Sequence, residues 1–211
     1  MRDRPALART AFAVVRDAGG PVERIAGERC AWRFRLHFHA GNEVVHVLAG
    51  RARLRLPDGC RDVTAGDTVV VPAGVVHRFE PLDRQGWAFV SRFVPALPAP
   101  SGGTATLAAR ASVLLAQRPS LRTDVAAVAR SCAVSEGHLS RAFRRETGCS
   151  LHNFHVLLAL QQSKALLRRQ VPVADAALAA GFYDQAHLNR EFVRTYGMTP
   201  AVFRDGWAAA A

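Results

Sequence analysis

The chain has 211 residues, 49% of them hydrophobic, which is enough for one large core or two compact ones, and two domains are the better starting prediction. No run approaches the about 20 apolar residues of a membrane span and no signal-peptide pattern follows the N-terminus, so we expect a cytoplasmic protein without a membrane partner. The net charge of +11 favours a polyanionic partner, but the first 103 residues carry 15 basic and 10 acidic side chains against 13 and 7 in the rest, so charge does not locate its binding site.

The first part of the chain, up to about Val94, has the pattern of short strands. Examples are 52–56 and 68–71, and turn signals containing proline and glycine follow both. Many short strands at this spacing predict an antiparallel barrel or sandwich. The proline- and glycine-rich segment 95–103 then reads as a linker. We therefore predict domains over 1–94 and 104–211.

The second part has helical periodicity and repeats itself. Apolar residues recur at helical spacing from Val125 to Cys132, behind a cap at Thr123 or Asp124. The repeat, at an offset of 49 residues, relates Leu139-x-Arg141-x-Phe143-x-Arg145-x-x-Gly148 to Leu188-x-Arg190-x-Phe192-x-Arg194-x-x-Gly197. A short predicted helix and a turn precede each copy, and the amphipathic stretch 151–167 joins the copies. The pattern predicts two helix-turn-helix units.

Each repeated helix has one apolar face and one face free for a partner. Leucine and phenylalanine lie four residues apart and can pack on the preceding helix, while the arginine two residues after the leucine points elsewhere. Such a helix fits the major groove of DNA, where arginine reads guanine and glutamine or asparagine reads adenine. Two of them on a stiff linker can enter successive groove segments on one face of the duplex. The repeat therefore predicts double-stranded DNA as the partner.

Residues 104–206 resemble the AraC-type double helix-turn-helix domain, above all from Gly181-Phe182 through Gly197-Met198-Thr199-Pro200 to Phe203-Arg204. The resemblance implies that base edges are contacted by Ser140, Arg141, Gln185, His187, Asn189 and Arg190. It also implies phosphate contacts by Arg145 and Arg194, which position the protein without reading sequence.

The strand-rich part contains candidate metal ligands. His37 and His39 alternate onto one face of a strand, Glu43 is close enough to join them, and His77 follows a tight turn. Three imidazoles and one carboxylate suit a divalent transition metal: zinc, nickel, iron, manganese or cobalt. The two segments resemble the two cupin motifs, which implies that these four residues are the ligands and that residues 1–94 form a cupin barrel, a double-stranded β-helix.

The predicted protein is thus a multidomain transcriptional regulator of AraC type, with an antiparallel cupin-like sensor barrel and an all-α double helix-turn-helix domain. An unknown small-molecule effector or the metal would alter DNA occupancy. Further candidate partners are a second copy, bound through the barrel surface, and RNA polymerase. We assign no catalytic residue. The alternative is a metal-dependent cupin enzyme of dioxygenase or isomerase type fused to a DNA-binding module.

Overall fold

The computed structural model describes residues 10–17, 20–31, 34–95, 106–117 and 119–210. The predicted linker 95–103 lies outside this description, apart from its first residue. In the part of the chain described, no helix is both long and apolar enough to span a membrane.

Among the residues described, eight strands precede the helices, in agreement with the predicted series of short strands. They are β1 Thr10–Asp17, β2 Gly20–Cys30, β3 Asn42–Ala49, β4 Arg51–Leu56, β5 Gly59–Thr64, β6 Thr68–Val71, β7 Arg78–Pro81 and β8 Trp87–Val94. One sheet has the order β1-β2-β8-β3-β6 and the other β5-β4-β7, with antiparallel pairing throughout. Alternate residues are buried, as along β3, where Val45 and Val47 lie in the core and His46 faces solvent. The antiparallel, cupin-like prediction is confirmed.

Seven helices follow within the described residues. They are α1 Leu107–Ala116, α2 Val125–Ser131, α3 Glu136–Thr147, α4 Leu151–Arg168, α5 Val173–Ala179, α6 Gln185–Tyr196 and α7 Pro200–Ala208. A side chain caps the N-terminus of five of the six helices α2 to α7. Of the two caps predicted for α2, Asp124 is the one observed, and its carboxylate accepts a hydrogen bond from the backbone N–H of Ala126. The pairs α2–α3 and α5–α6 are the two predicted helix-turn-helix units.

The repeat in the sequence is also a repeat in the structure. Helices α3 and α6 each have 12 residues, and the offset of 49 relates both of their ends. Gly148 and Gly197 end them with φ of 68° and 72°, the left-handed conformation that glycine adopts without steric cost. The two repeats therefore fold alike because their core faces, caps and final glycines are duplicated together.

The strand-rich and helical parts share one continuous apolar core. The ring of Phe12 in β1 lies 4.9 Å from that of Phe203 in α7, and Phe38 stacks on Phe154 of α4 at 5.2 Å. Thr10 Oγ1 donates a hydrogen bond of 2.7 Å to the carbonyl of Gly197, directly after α6. The barrel is therefore packed against α4, α6 and α7.

Candidate metal centre and nucleic-acid interface

The four predicted metal ligands converge. The backbones of His37 and His77 form an antiparallel bridge with two hydrogen bonds of 2.8 Å, which sets the imidazoles side by side at 4.5 Å between ring centroids. His39 is two residues along the same extended segment, and Glu43 lies at the start of β3. One ligand atom from each of the four residues lies within 4.8 Å of the others, and all four side chains are buried.

The hydrogen bonds within the cluster do not satisfy the ring nitrogens of His77 and His39. Both ring nitrogens of His77 face acceptors, Val75 O at 2.9 Å and Glu43 Oε2 at 2.8 Å, although a neutral imidazole has only one N–H. Within the described residues, neither ring nitrogen of His39 makes a well-formed hydrogen bond, and its Nε2 lies 3.4 Å from Glu43 Oε2. An ion bound by Glu43 and by one nitrogen of each ring would leave His77 with a single N–H, which donates to Val75 O, and would give one nitrogen of His39 a partner.

The protonation states suit a metal ion. Burial lowers the pKa of His37 well below its ordinary value, and the neighbouring His77 and His39 lower it further. Burial also lowers the pKa of His39. Burial would raise the pKa of Glu43, but His39 and His77 outweigh it and hold that pKa well below the ordinary value. At neutral pH this favours neutral imidazoles beside an ionised carboxylate, the forms that bind metals.

The distances also fit with a small adjustment. Transition-metal bonds to imidazole nitrogen are about 2.1 Å, so two ligands on opposite sides of one ion are roughly 4.2 Å apart. The four ligand atoms lie within 4.8 Å of one another, a few tenths of an ångström more than this separation. Small side-chain rotations can close that difference. The described residues therefore contain a buried cluster that is compatible with metal binding.

A small cavity beside the cluster is bounded by both parts of the chain. Its wall includes three cluster residues, aromatic side chains of the barrel such as Trp87 and Phe93, and Thr195 and Tyr196 from the end of α6. The cavity volume is about 20 Å³. One water molecule needs at least about 10–15 Å³ on this measure, so the cavity has room for little more than one water. The end of α6, in the second helix-turn-helix unit, thus forms part of the cavity wall.

Arg35 connects the cluster to the helices. Its carbonyl accepts a hydrogen bond of 2.7 Å from His37 Nδ1, which leaves Nε2 of that ring for the cluster. Its guanidinium pairs with Glu191 of α6 and donates to Asn153 of α4 at 2.7 Å. Its backbone N–H donates to the carbonyl of Arg194 at 3.4 Å. One residue next to a candidate ligand is therefore bonded to two helices.

A buried charge network is a second connection. Glu23 of β2 accepts hydrogen bonds from Lys164 at 2.8 Å, from Arg168 at 2.9 and 2.6 Å, and from the indole of Trp207 at 3.1 Å. Burial would raise the pKa of Glu23, but Lys164 and Arg168 outweigh it and lower the pKa to about 2. The network joins the barrel to α4 and α7.

The residues predicted to face base edges lie on the outer faces of α3 and α6. Leu139, Phe143, Leu188 and Phe192 are fully buried, as the repeat predicted. Four of the side chains predicted to contact bases are exposed: Ser140, Arg141, Gln185 and Arg190. The other two, His187 and Asn189, are partly exposed. The polar face of each helix is therefore open to a ligand.

Both residues predicted to contact phosphate are also exposed, but their surroundings differ. Arg145 has 72% of its side chain exposed and lies 3.9 Å from Glu146. Arg194 is 60% exposed and lies 3.4 Å from Glu191, the same carboxylate that pairs with Arg35. The second of these arginines is thus adjacent to the contact between barrel and helix.

Several residues that connect the two parts escaped the prediction from sequence. No motif or repeat in the sequence assigns a role to Thr195, Tyr196 or Arg35. Lys164 carried a usable signal, because it is the only lysine among 28 basic residues and lies within the apolar pattern of α4. A lone charge among apolar helix positions predicts a buried partner, but the sequence does not identify Glu23 as that partner.

Comparison with known proteins identifies both parts. The profile of the Helix-turn-helix domain matches residues 128–206, and that of the Cupin domain matches residues 30–83. The arabinose operon regulatory protein of Escherichia coli is 33% identical over 84 residues, which are 39% of this chain and 29% of that protein. The acireductone dioxygenase of Ixodes scapularis is 40% identical over 60 residues, which are 26% of this chain and 32% of the enzyme. The matches thus span about a third of each of these two relatives.

A solved structure shares the whole architecture. ToxT from Vibrio cholerae aligns over 93% of this chain and 98% of its own, with a TM-score of 0.59 and 8% sequence identity. At this identity the likeness concerns the fold. The chain thus joins a cupin domain to a helix-turn-helix domain.

Proposed function

We propose that this protein is a sequence-specific DNA-binding transcriptional regulator whose cupin domain senses a divalent metal, a small molecule or both. The observation that carries the proposal is the duplicated helix, buried on its leucine and phenylalanine face and open on its polar face. In this proposal Ser140, Arg141, Gln185, His187, Asn189 and Arg190 contact base edges, and Arg145 and Arg194 contact phosphates. The similarity to the arabinose operon regulatory protein supports it.

The cupin domain is proposed to hold one divalent transition metal, from the series zinc, nickel, iron, manganese and cobalt. His37, His39, Glu43 and His77 would bind it, and the backbone carbonyls at positions 35 and 75 would orient two of the rings. A bound ion would act as a Lewis acid that attracts an oxygen ligand. Double-stranded DNA as partner implies a cytoplasmic location, and a second copy and RNA polymerase are further proposed partners.

The DNA proposal is tested by separating base reading from phosphate binding. We expect Arg190→Ala to lose about 1–3 kcal/mol of discrimination at one base pair of a selected site. Arg194→Ala is expected to weaken binding to all sequences alike and to reduce the salt dependence of binding. Binding is measured by mobility shift on the selected duplex and on random duplex, with Arg130→Ala of α2 as a control outside the proposed interface. Equal losses on both duplexes for both variants would contradict the assignment.

The competing function is a metal-dependent cupin enzyme of dioxygenase or isomerase type. The similarity to acireductone dioxygenase is the observation in its favour. The regulator is favoured because the helix-turn-helix match covers more of the chain than the cupin match does. Sustained turnover of phenols or keto acids by the iron-loaded chain, without preference for any DNA sequence, would favour the enzyme.

A further inference from the structure

We infer that the cupin cavity is a site shared by the barrel and the second recognition helix, α6. It would take a divalent ion with one water-sized oxygen ligand and thereby strengthen DNA binding. The inference rests on the proposed function and adds to it the size class of the ligand and the sign of the response. The ligand would be held by groups from both domains, so that α6 is itself part of the sensor.

The size of the cavity defines the ligand. A volume of about 20 Å³ admits one water or a comparably small oxygen donor beside the cluster, whereas an effector of several heavy atoms requires α6 to move away. Thr195 and Trp87 belong to the lining, and each has a buried polar atom, Oγ1 and Nε1, without a hydrogen-bond partner among the described residues. Buried polar groups are normally paired, so both indicate a missing oxygen-bearing ligand.

A short series of bonds leads from the cluster to α6. Bonding of His37 to an ion fixes its ring, and the other nitrogen of that ring is hydrogen-bonded to the carbonyl of Arg35. The N–H and guanidinium of Arg35 are bonded in turn to the carbonyl of Arg194 and the carboxylate of Glu191. An ion in the cluster therefore favours the arrangement in which α6 is docked on the barrel.

When α6 is docked on the barrel, the face that is proposed to read DNA stays exposed. For this reason we expect ion binding to strengthen DNA binding. Gln185 and Arg190 are exposed while Thr195 and Tyr196 of the same helix close the cavity. Docking thus fixes the helix without covering the side chains that are proposed to read bases. A helix held in one orientation loses less conformational entropy when it enters the groove, so the ion should tighten specific binding.

The test measures both affinities of the full chain. Chelator-stripped protein is titrated with Zn²⁺, Mn²⁺ or Ni²⁺, with and without the selected duplex, and duplex affinity is measured with and without saturating ion. We expect at least one ion to raise duplex affinity fivefold or more. The duplex must then raise the affinity for that ion by the same factor, because coupling between two binding sites is reciprocal. Unchanged or weakened duplex binding with every bound ion would overturn the inference.

Two variants test the route through Arg35. Arg35→Met keeps the backbone carbonyl that orients His37 but removes the guanidinium, so we expect ion binding to persist and the coupling to fall below twofold. Glu191→Gln removes the other partner of the ion pair and should do the same if Arg35→Met fails to fold. Arg51→Met is the matched control, because Arg51 forms an exposed ion pair with Asp83 on the barrel and should leave the coupling intact. Full coupling in both test variants would overturn the route.

These results separate the inference from the proposed function. A chain that selects no DNA sequence with or without ions lacks the proposed function. A chain that selects a sequence and binds an ion, but with independent affinities, keeps the proposed function and contradicts the inference.

Discussion

Substitution of Glu23 by glutamine should destabilise the contact between barrel and helices more than the loss of any surface charge. The carboxylate is 4% exposed and lies 2.8 Å from Lys164 Nζ, which is itself buried among the rings of Phe93, Tyr196 and Phe203. Glu23→Gln would leave this ammonium group without a counter-charge in an apolar surrounding. Breaking a buried pair in this way costs about 3–5 kcal/mol.

The pKa of Glu23 gives an independent value for the free-energy cost of removing its charge. The surroundings lower that pKa from its ordinary value of 4.5 to about 2. At roughly 1.4 kcal/mol per pH unit, this corresponds to about 3 kcal/mol in favour of the charged form. Burial lowers the pKa of Lys164 despite its partner, so the intact pair contributes less than this to stability. The cost of removing only one partner remains near 3 kcal/mol.

Urea unfolding followed by tryptophan fluorescence measures the effect, because the indole of Trp207 is bonded to Glu23. With a slope of about 1–3 kcal/mol per molar urea, we expect the midpoint to fall by on the order of 1 M. Asp62→Asn is the control, since it breaks the exposed pair of Arg53 and Asp62 and should hardly move the midpoint.

A double variant tests the physical reason. Glu23→Gln with Lys164→Met replaces the ion pair by groups without net charge, and methionine packs well among aromatic rings. It should regain at least half of the stability lost by Glu23→Gln. The reasoning is refuted if Glu23→Gln behaves like Asp62→Asn, or if the lysine substitution adds a further full loss.

Three other outcomes follow from the same structure. Because the pKa of Glu23 is lowered, the contribution of its charge to the free energy of unfolding is complete above about pH 4.5 and is lost as the pH falls toward 2. The urea midpoint should therefore drop over that range. Glu23→Gln should remove this part of the drop. Gly181→Ala should cost about 1–3 kcal/mol in urea unfolding, because φ is +85° and the new Cβ would lie 2.5 Å from Ser120 Oγ, whereas Gly137→Ala in the exposed start of α3 should be neutral or stabilising. His77→Ala should abolish stoichiometric metal in dialysed protein analysed by plasma mass spectrometry, and metal retained at wild-type level would exclude His77 as a ligand.

Local chemistry explains why the duplicated helices and the metal cluster could be predicted from sequence. The segments from Ser135 to Gly148 and from Asp184 to Gly197 each contain a cap, a core face and a final glycine within 14 residues, so each helix is determined by its own segment. In the same way, His37 and His39 must share a face because they alternate along one extended segment.

The docking of α6 on the barrel could not be predicted, because it depends on residues far apart in the chain. Arg35 and Glu191 are 156 positions apart, and Glu23 and Lys164 are 141 apart. No periodicity relates such positions, and even the apolar surroundings of Lys164 in the sequence do not identify its partner. They come together because the two parts share an apolar core, in which Phe12 packs on Phe203 and Phe38 on Phe154.

The faces of α6 explain how one helix can serve the cavity and the DNA at once. Leu188, Phe192, Thr195 and Tyr196 follow the spacing i, i+4, i+7 and i+8 and are buried on one side. Arg190 and Arg194, four residues apart, are exposed on another. If a ligand too large for the cavity displaces the backbone of α6 at Tyr196, Arg190 of the same helix moves with it. An ion small enough to fit and an organic molecule too large to fit should therefore have opposite effects on DNA binding.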